Sequence, residues 1–407
     1  MSASDSLSPS QLFSLLFATD PPPGDPYPLY EALRAEGEPV RVDAGLWVAT
    51  GYDMCELVLR DQRFANDMDA VGLKKGGPRW RGHSALRMLE SMMLMANPPR
   101  HGRLRRALQG RFTSSRAVSS GATVVRGIAD GLVADLASRG RSDFVTDFAD
   151  LLPTEVISRF IGIPRSDRRH FRQQILAFNL VFERGTDSRQ LRAADRATDE
   201  ITGYLDELLA ERRTGDGDDL LTHIARASAD GSLPEEEAVP LVFQIYNASY
   251  QTVSSLLGNG LAVLMEHPEQ FAALRERRVP LSAAVTEVLR HDPPVQSTGR
   301  HATTPLTLGR EKVEEGDMVV ALIGAANRDP DRYRLPQSFR ADRVGPQPLS
   351  FGQGIHYCLG APLALAQMEA AFSALLTLRT IEPAGPGERR PSANMRGYSR
   401  LPVEVRA

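Results

Sequence analysis

The chain has 407 residues, of which 42% are hydrophobic and 24% charged, and its formal net charge at pH 7 is −3. This composition is typical of a globular protein with a large core, and a near-neutral charge without a Lys/Arg-rich tract argues against nucleic-acid binding. Two cysteines cannot form a disulfide framework, so we expect a reducing cytoplasm. Residues 241–265 have the length of a membrane span but carry too many amide and hydroxyl side chains for lipid, so we expect no membrane partner.

The N-terminal part of the chain combines a proline-rich stretch with short patterned segments. Residues 1–24 include three consecutive prolines and are expected to form a mobile arm, while no linker divides residues 25–407, which we expect to form a single domain. Residues 27–36 are predicted to be helical, and residues 39–43 and 46–50 alternate like the strands of a small hairpin. Cys55 lies in a helical pattern and is expected to be structural.

From residue 52 onward, most of the chain shows the periodicity of amphipathic helices. The predicted helices cover residues 103–112, 127–137, 153–161, 168–182, 193–213 and 241–266, and a charged loop covers residues 212–219. Strand-like patterns follow at 306–308 and 318–323, and a last helix is predicted at 360–376. The expected fold class is mainly α with a small β portion.

The most informative segment is residues 350–360, which read Ser-Phe-Gly-Gln-Gly-Ile-His-Tyr-Cys-Leu-Gly. Its glycines allow the backbone to approach something flat or bulky. Cys358 precedes a predicted helix, whose N-terminal dipole and free amides stabilise a thiolate. The pattern indicates a soft metal ligand beside a large cofactor. A buried inert cysteine and a catalytic nucleophile with a partner histidine are the two alternatives.

This segment resembles the haem-binding motif of the cytochrome P450 family, Phe-Gly-x-Gly-x-His-x-Cys-x-Gly. The matching residues are Phe351, Gly352, Gly354, His356, Cys358 and Gly360. The resemblance extends from about residue 25 to the C-terminus. It implies the cytochrome P450 fold, a triangular helical body with small β-sheets, and a bacterial-type monooxygenase. It also implies haem b (iron protoporphyrin IX) as cofactor, with Phe351 and Gly352 beside it and Cys358 as the axial thiolate of the iron.

Other family motifs recur along the chain. Glu287 and Arg290 resemble the family's Glu-x-x-Arg pair, which interlocks with a later arginine, here Arg343, in a structural role. By the same resemblance, four cationic or imidazole side chains bind the haem propionates, and Asn97 replaces the usual aspartate shortly before the first of them. These propionate-binding residues are His101, Arg105, Arg300 and His356.

Residues 248–252 correspond to the oxygen-binding motif of the family but depart from it. Thr252 aligns with the family threonine and can bond the carbonyl of Ala248, which opens a groove for dioxygen and water beside the haem. Gln251 stands where an acid is expected, and its amide cannot titrate, although splitting dioxygen consumes two protons. Ser249 replaces a glycine and adds a hydroxyl.

Two reactions remain open from this motif. Protons can arrive through Thr252, Ser249 and water, which would leave hydroxylation intact. Alternatively, the reaction is an oxidative C–C or C–N coupling or a ring-forming oxidation without oxygen insertion. A haem-binding protein without turnover is a third hypothesis, and Thr252 argues against it.

The resemblance also places the substrate contacts, in segments that combine methionines with a few amides. We therefore expect a bulky, mostly apolar substrate with a few polar groups, such as an intermediate of secondary metabolism. The expected contact residues are Leu94, Met95, Phe178, Asn179, Asn247, Tyr250, Val295, Gln296 and Tyr398.

The sequence shows no Gly-x-Gly-x-x-Gly loop, flavin domain or iron–sulfur cysteine set. The resemblance therefore implies that electrons from NAD(P)H arrive through separate partners, a ferredoxin and a ferredoxin reductase. We expect them to dock around Cys358, where Arg103 and Arg106 would add positive charge.

Overall fold

The computed structural model describes residues 7–19, 21–113, 115–183 and 186–407, and side chains outside residues 113–121. The α-helices of these residues are α1 Pro9–Phe17, α2 Tyr27–Ala35, α3 Tyr52–Arg60, α4 Met68–Gly76, α5 Ser84–Ser91, α6 Arg100–Thr113, α7 Ser115–Arg139, α8 Leu151–Ile161, α9 Arg168–Phe178, α10 Ser188–Arg212, α11 Leu220–Ala229, α12 Glu235–Glu266, α13 Pro268–Arg275, α14 Leu281–His291, α15 Ile323–Ala326 and α16 Ala361–Leu375.

Short strands and turns connect the helices. The strands are β1 Val40–Asp43, β2 Leu46–Ala49, β3 Phe64–Ala65, β4 Arg141–Asp143, β5 Thr298–Ala302, β6 Leu306–Leu308, β7 Glu311–Val313, β8 Met318–Ala321, β9 Thr380–Pro383, β10 Glu388–Arg389, β11 Tyr398–Arg400 and β12 Pro402–Arg406. Short 3₁₀ segments cover Gly77–Gly82, Asn179–Phe182, Leu349–Phe351 and Gly354–His356, and a π-helical turn covers Val145–Ala149. Across the described ranges, no helix combines the length and apolar character that crossing a bilayer requires.

The chain divides into two compact units, each assembled from separated segments. Unit 1 contains Met1–Asn66, Asn259–Cys358 and Glu388–Ser399, and unit 2 contains Asp67–Gly258, Leu359–Gly387 and Arg400–Ala407. Helix α12 runs through the boundary, and so no linker or change of composition marks it. This is why the sequence predicted a single domain for residues 25–407.

Unit 1 is built on a five-stranded sheet with the strand order β1-β2-β8-β5-β3. Strands β1 and β2 form the predicted antiparallel hairpin, and β8 pairs in parallel with β2 and antiparallel with β5. The valine, tryptophan and phenylalanine residues of these strands are buried in two hydrophobic clusters. The sheet gives β5, which carries Arg300, a rigid support.

The N-terminal segment corrects one expectation. Residues 1–24 were predicted to be a mobile arm, of which residues 1–6 and 20 lie outside the described part of the chain, but residues 9–17 form α1. A capping box begins this helix, because Ser8 Oγ accepts a hydrogen bond from Gln11 N while Gln11 Oε1 accepts one from Ser8 N. Its apolar face is buried in one of the two clusters of unit 1 through Leu12, Phe13, Leu16 and Phe17. Burial of this face explains why residues 9–17 form a helix packed on unit 1.

Unit 2 consists mainly of helices around one hydrophobic cluster, to which α5, α6, α8, α9, α10, α11 and the first half of α12 contribute. Strands β4, β12 and β9 form its three-stranded sheet, and α16 packs against α7. Aromatic rings join α9 to α12, with centroids 4.7 Å apart for Phe178 and Phe243 and 4.5 Å apart for Phe171 and Tyr246. The predicted helices are present. The region predicted as one helix at 168–182 becomes a 3₁₀ turn after Phe178.

Candidate active site

The Cys358 loop is shaped by its glycines. Gly352 and Gly354 have φ values of 71° and 67°, in the left-handed region that favours glycine. A Cβ on Gly354 would lie 2.6 Å from the carbonyl oxygen of Leu59 at the end of α3, so no side chain fits there. Cys358 N donates to Phe351 O at 2.9 Å and closes the loop. The backbone therefore fixes the position of the cysteine.

A buried amide supports the start of this loop. Asn327 Oδ1 accepts from Leu349 N at 2.7 Å, and Asn327 Nδ2 donates to Ser350 Oγ at 2.8 Å. Ser350 Oγ in turn donates to Leu289 O at 2.6 Å. No motif in the sequence pointed to Asn327. Its only signal is a single amide directly after the apolar run 322–326.

The two cysteines lie in different environments. Cys55 is fully buried, its Sγ lies 3.3 Å from Ala49 O, and burial raises the pKa of its thiol well above the ordinary value. Such a thiol is inert at neutral pH, in agreement with the structural role predicted for it. Cys358 is half-buried and lies three positions before the first residue of α16. Cys358 is therefore the more accessible of the two thiols.

Arg300 is a buried cation without a carboxylate partner among the described residues. Its side chain on β5 is 8% exposed, and its guanidinium donates to Thr298 Oγ1 at 3.0 Å and to Gly299 O at 2.8 Å. Burial lowers the pKa of Arg300 to about 10. No carboxylate forms an ion pair with Arg300 among the residues that the structure describes. A buried guanidinium of this kind suits a carboxylate ligand.

His356, also expected at the propionates, lies in the 3₁₀ turn two residues before Cys358. Its Nε2 lies 3.4 Å from Asn66 Nδ2, directly after β3. This contact orients the ring of His356. No motif in the sequence indicated that Asn66 lies beside it.

The predicted Glu287 cluster is present and buried. Glu287 accepts from Arg290 at 2.7 and 2.8 Å and from Arg343 Nε at 3.0 Å. Arg290 also donates to Asn327 O at 2.9 Å. The cluster thus supports the same asparagine that holds the Cys358 loop.

Helix α6 carries the other two expected propionate residues. His101 is 3% exposed, and the pKa of its ring is lowered by burial and by the neighbouring charge of Arg105. Arg105 follows one turn later on the same face and is half-buried. Arg103 and Arg106, both expected to add positive charge, are exposed, and Arg103 donates to the buried Glu237 at 2.7 Å.

The hydrogen bond expected between Thr252 and Ala248 is present in the middle of α12. Thr252 Oγ1 donates to Ala248 O at 2.7 Å. Ala248 is exposed although most of α12 around it is buried, and Ser249 and Thr252 are half-buried beside it. This face of the helix is therefore accessible to small molecules.

Gln251 has a partner that the sequence did not reveal. Asn179 Nδ2, in the 3₁₀ turn after α9, donates to Gln251 Oε1 at 2.7 Å. The two residues are 72 positions apart, and nothing in the sequence pairs them. Asn179 had been expected to contact the substrate.

Two expected substrate contacts, Phe178 and Tyr250, have no exposed surface. Phe178 packs on Phe243, and Tyr250 OH accepts from Arg172 Nε at 2.6 Å. In this conformation both side chains belong to the core of unit 2 and offer no surface to a ligand.

The other expected contacts of unit 2 differ in exposure. Leu94 is 44% exposed and Met95 is half-buried. Asn247 is 9% exposed, and its Oδ1 has no hydrogen-bond partner among the described residues. A buried amide oxygen without a donor indicates a place for water or a polar ligand group.

In unit 1, Gln296 is 1% exposed and already engaged, since it accepts from Tyr30 OH at 3.0 Å and donates to Pro293 O at 2.6 Å. It offers no surface to a ligand either. Tyr398 is 8% exposed beneath Arg389, and Val295 is half-buried, bridged to Met395.

Comparisons with known proteins cover nearly the whole chain. The family model described as Cytochrome P450 matches residues 166–404. The chain is 38% identical to Cytochrome P450 monooxygenase PikC of Streptomyces venezuelae, over 94% of this chain and 91% of that protein. It is 32% identical to Polyketide biosynthesis cytochrome P450 PksS of Bacillus subtilis, over 88% of this chain and 89% of PksS.

Solved structures give the same result for the fold. The structure of PksS matches with a TM-score of 0.85 and 28% identity, over 98% of this chain and 100% of that one. The cytochrome P450 enzyme CxnD, described as acting in C–S bond formation in chuangxinmycin biosynthesis, matches with a TM-score of 0.83 and 27% identity, over 94% of both chains. The mainly α fold with small sheets expected from the sequence is confirmed.

Proposed function

We propose that this chain, which belongs to the cytochrome P450 family, uses dioxygen to hydroxylate a bulky, mostly apolar small molecule of secondary metabolism. Relatives of this chain are named monooxygenases, and this makes it an oxidoreductase of that class. The observation that carries the proposal is the bond from Thr252 to the carbonyl of Ala248 on an accessible face of α12.

The described residues fit the haem of the family. Arg300 is a buried cation without a carboxylate partner in the described ranges, which suits a propionate. Cys358 is the accessible thiol, in a loop whose glycines keep side chains away from a flat ligand. When bound, a haem with a thiolate ligand supplies the chemistry that splits dioxygen. We assign Cys358 to the iron, and Arg300, His356, His101 and Arg105 to the propionates.

The residues of α12 would handle water and protons. Because the Thr252 hydroxyl donates its hydrogen to Ala248 O, its oxygen lone pairs remain free to accept from a water molecule. Rotation of the same hydroxyl would pass a proton onward, and Ser249 adds a second hydroxyl to the path. Gln251 can orient water but stays neutral throughout.

The surroundings of the site and the names of the relatives support the proposed substrate class. Leu94 and Met95 offer apolar surface, and Asn247 offers an amide oxygen without a partner among the described residues. PksS is named for polyketide biosynthesis. A large apolar intermediate with a few polar groups is consistent with both observations.

We further infer that electrons come from NAD(P)H through a ferredoxin and its reductase. The sequence carries no dinucleotide-binding glycine motif of its own. The exposed Arg106 offers positive charge to an acidic partner, whereas the charge of Arg103 is matched by Glu237. Reconstitution with surrogate ferredoxins of different surface charge tests this, and turnover with the reductase alone would contradict it.

A second candidate reaction is oxidative coupling or ring formation without oxygen insertion. It is favoured by Gln251, which replaces the acid of the family motif, and by the similarity to CxnD, a family member described as acting in C–S bond formation. Both reactions use the same assignments for Cys358 and Thr252.

Two measurements test the proposal. The carbon monoxide complex of the reduced holoenzyme should show the red-shifted Soret band of a thiolate ligand, and its absence would refute the assignment of Cys358. A spectral screen for compounds that displace the iron-bound water then supplies a substrate for turnover under labelled dioxygen. Label in the product supports hydroxylation, and an unlabelled coupled product supports the second candidate.

A further inference from the structure

Three carboxamide side chains lie on or beside the middle of α12, those of Asn247 and Gln251 on the helix and that of Asn179 next to Gln251. Asn179 Nδ2 donates to Gln251 Oε1 at 2.7 Å. Asn247 lies one turn before Gln251 on the same helix face. Asn247 is 9% exposed, and its Oδ1 has no partner within the part of the chain that the structure describes. The oxygen of Gln251 is therefore occupied, while the buried oxygen of Asn247 lacks a donor.

This arrangement determines which end of the Gln251 carboxamide points toward Asn179. An amide has an acceptor end and a donor end, and Asn179 occupies the acceptor end of Gln251. The N–H groups of Gln251 are the end left for water or for the Asn247 oxygen, and a buried acceptor without a donor is costly. With the Gln251 amide alone reversed, two donors would face each other at Gln251 and Asn179. The observed orientation therefore suits the donor of Asn179, whose Oδ1, like that of Asn247, is buried without a partner among the described residues.

We propose that Asn179 is a positioning residue for oxygen activation, because it fixes the direction of the Gln251 carboxamide beside Thr252. This inference rests on the proposed function. N–H groups of Gln251 would bind a water through its oxygen, which leaves both water protons free to move toward Thr252. A reversed amide would accept one of these protons in a hydrogen bond and hold it back. Gln251 neither gains nor loses a proton, since solvent replaces each proton that the water gives up.

Other contacts hold the same helix pair together, so the role of Asn179 can be separated from folding. Phe178, next to Asn179, packs on Phe243 with ring centroids 4.7 Å apart. Near the start of α9, Arg172 donates to Tyr250 OH at 2.6 Å. Loss of the Asn179 amide should therefore leave α9 seated on α12.

The test compares Asn179→Leu and Asn179→Asp with the wild-type holoenzyme. The measured quantity is hydrogen peroxide released per NAD(P)H consumed, with surrogate ferredoxin and reductase and one compound from the spectral screen, between about pH 5 and 8. Leucine removes the donor at similar size, and we expect the peroxide yield to rise about fivefold, as for the loss of one ordinary hydrogen bond. This rise should not depend on pH.

Asn179→Asp should make the peroxide yield depend on pH, which a purely structural role of Asn179 would not do. Above its pKa, the carboxylate accepts from the Gln251 N–H groups and reverses the amide, so the peroxide yield should be high. Below its pKa, the protonated acid donates to Gln251 Oε1 again, and the yield should fall toward the wild-type value. Gln173→Glu makes the same amide-to-acid change on the exposed face of α9 and should behave as wild type.

The outcomes separate this inference from the proposed function. A normal carbon monoxide spectrum in every variant, together with unchanged peroxide yields, would overturn the inference and leave the proposed function standing. Weaker binding of the screened compound in both variants without a pH-dependent yield would make Asn179 a substrate contact instead. A wild-type holoenzyme without the red-shifted band would overturn both proposals.

Discussion

The Cys358 loop and the middle of α12 are held in different ways. The loop is fixed by its backbone, through glycines at left-handed φ and a closing bond from Cys358 N to Phe351 O. The α12 motif is fixed by side chains, through the bonds of Thr252 and Gln251 on a helix that forms without them. We therefore expect changes that reach the loop to remove the cofactor, and changes on α12 to alter the reaction while the fold persists.

The largest loss of stability is expected when the Glu287 cluster, which supports the Cys358 loop, is disrupted. Glu287→Gln would leave Arg290 and Arg343 buried without their anion, and Arg290 would no longer be held against Asn327. Breaking a buried pair in this way costs about 3–5 kcal/mol. Chemical unfolding measures the loss, and the amplitude of the carbon monoxide band measures retained haem.

The control for this change is an exposed pair in the same unit. Glu276 pairs with Arg278 at 2.6 Å, and both side chains are more than half exposed. Glu276→Gln should alter neither the unfolding free energy nor the haem content appreciably. Equal losses in the two variants would mean that burial of the Glu287 cluster is not what supports the loop.

Gly354→Ala tests whether the backbone itself fixes the cysteine. A Cβ would lie 2.6 Å from Leu59 O at a φ of 67°, so the loop must shift or α3 must move. We expect a loss of about 2–3 kcal/mol, as for overpacking combined with backbone strain. Haem content should fall with it. Gly127→Ala on α7, where no atom lies within 4 Å, should be neutral or stabilising.

The two regions also show which parts of the molecule the sequence could predict. The glycine spacing around Cys358, the β1–β2 hairpin and the Thr252 bond all depend on neighbours close in the chain, and the structure contains them as expected. Asn327 could not be assigned from the sequence, because its partners become neighbours only when the chain folds.

The partners of three expected substrate contacts could not be assigned for the same reason. The surroundings of Phe178 and Tyr250 are set by the packing of α9 on α12. Asn179 donates to Gln251, which is 72 positions away in the chain. Residue types and local spacing predict a motif well, whereas side-chain partners depend on tertiary packing.

A pH effect should act on unit 1 through His291, at the end of α14. Its Nδ1 faces Arg328, and its pKa is lowered to about 3, first by burial and then by the charge of Arg328. In the unfolded chain this histidine binds a proton near pH 6.5. The free energy of unfolding is therefore at its full value above that pH, and it decreases as the pH falls toward 3. Between pH 7 and 5 the loss is about 2 kcal/mol.

His291→Gln removes this titration, and the measured difference in unfolding free energy between pH 7 and pH 5 should shrink accordingly. His170→Gln is the control, because His170 lies on the surface in an exposed pair with Glu200. If the pH dependence survives in His291→Gln, other groups carry it.

The smallest effect is expected for Gln251→Glu, which tests the side-chain contacts in the middle of α12. Gln251→Glu keeps an acceptor for Asn179 Nδ2, so the contact between α9 and α12 should persist. The new carboxyl can relay protons, which the amide cannot. If protonation limits the enzyme, product formed per NAD(P)H should rise a few-fold, with unchanged haem content. Unchanged or poorer coupling would mean that the neutral amide is tuned to the reaction, and the Cys358 loop would be unaffected in either case.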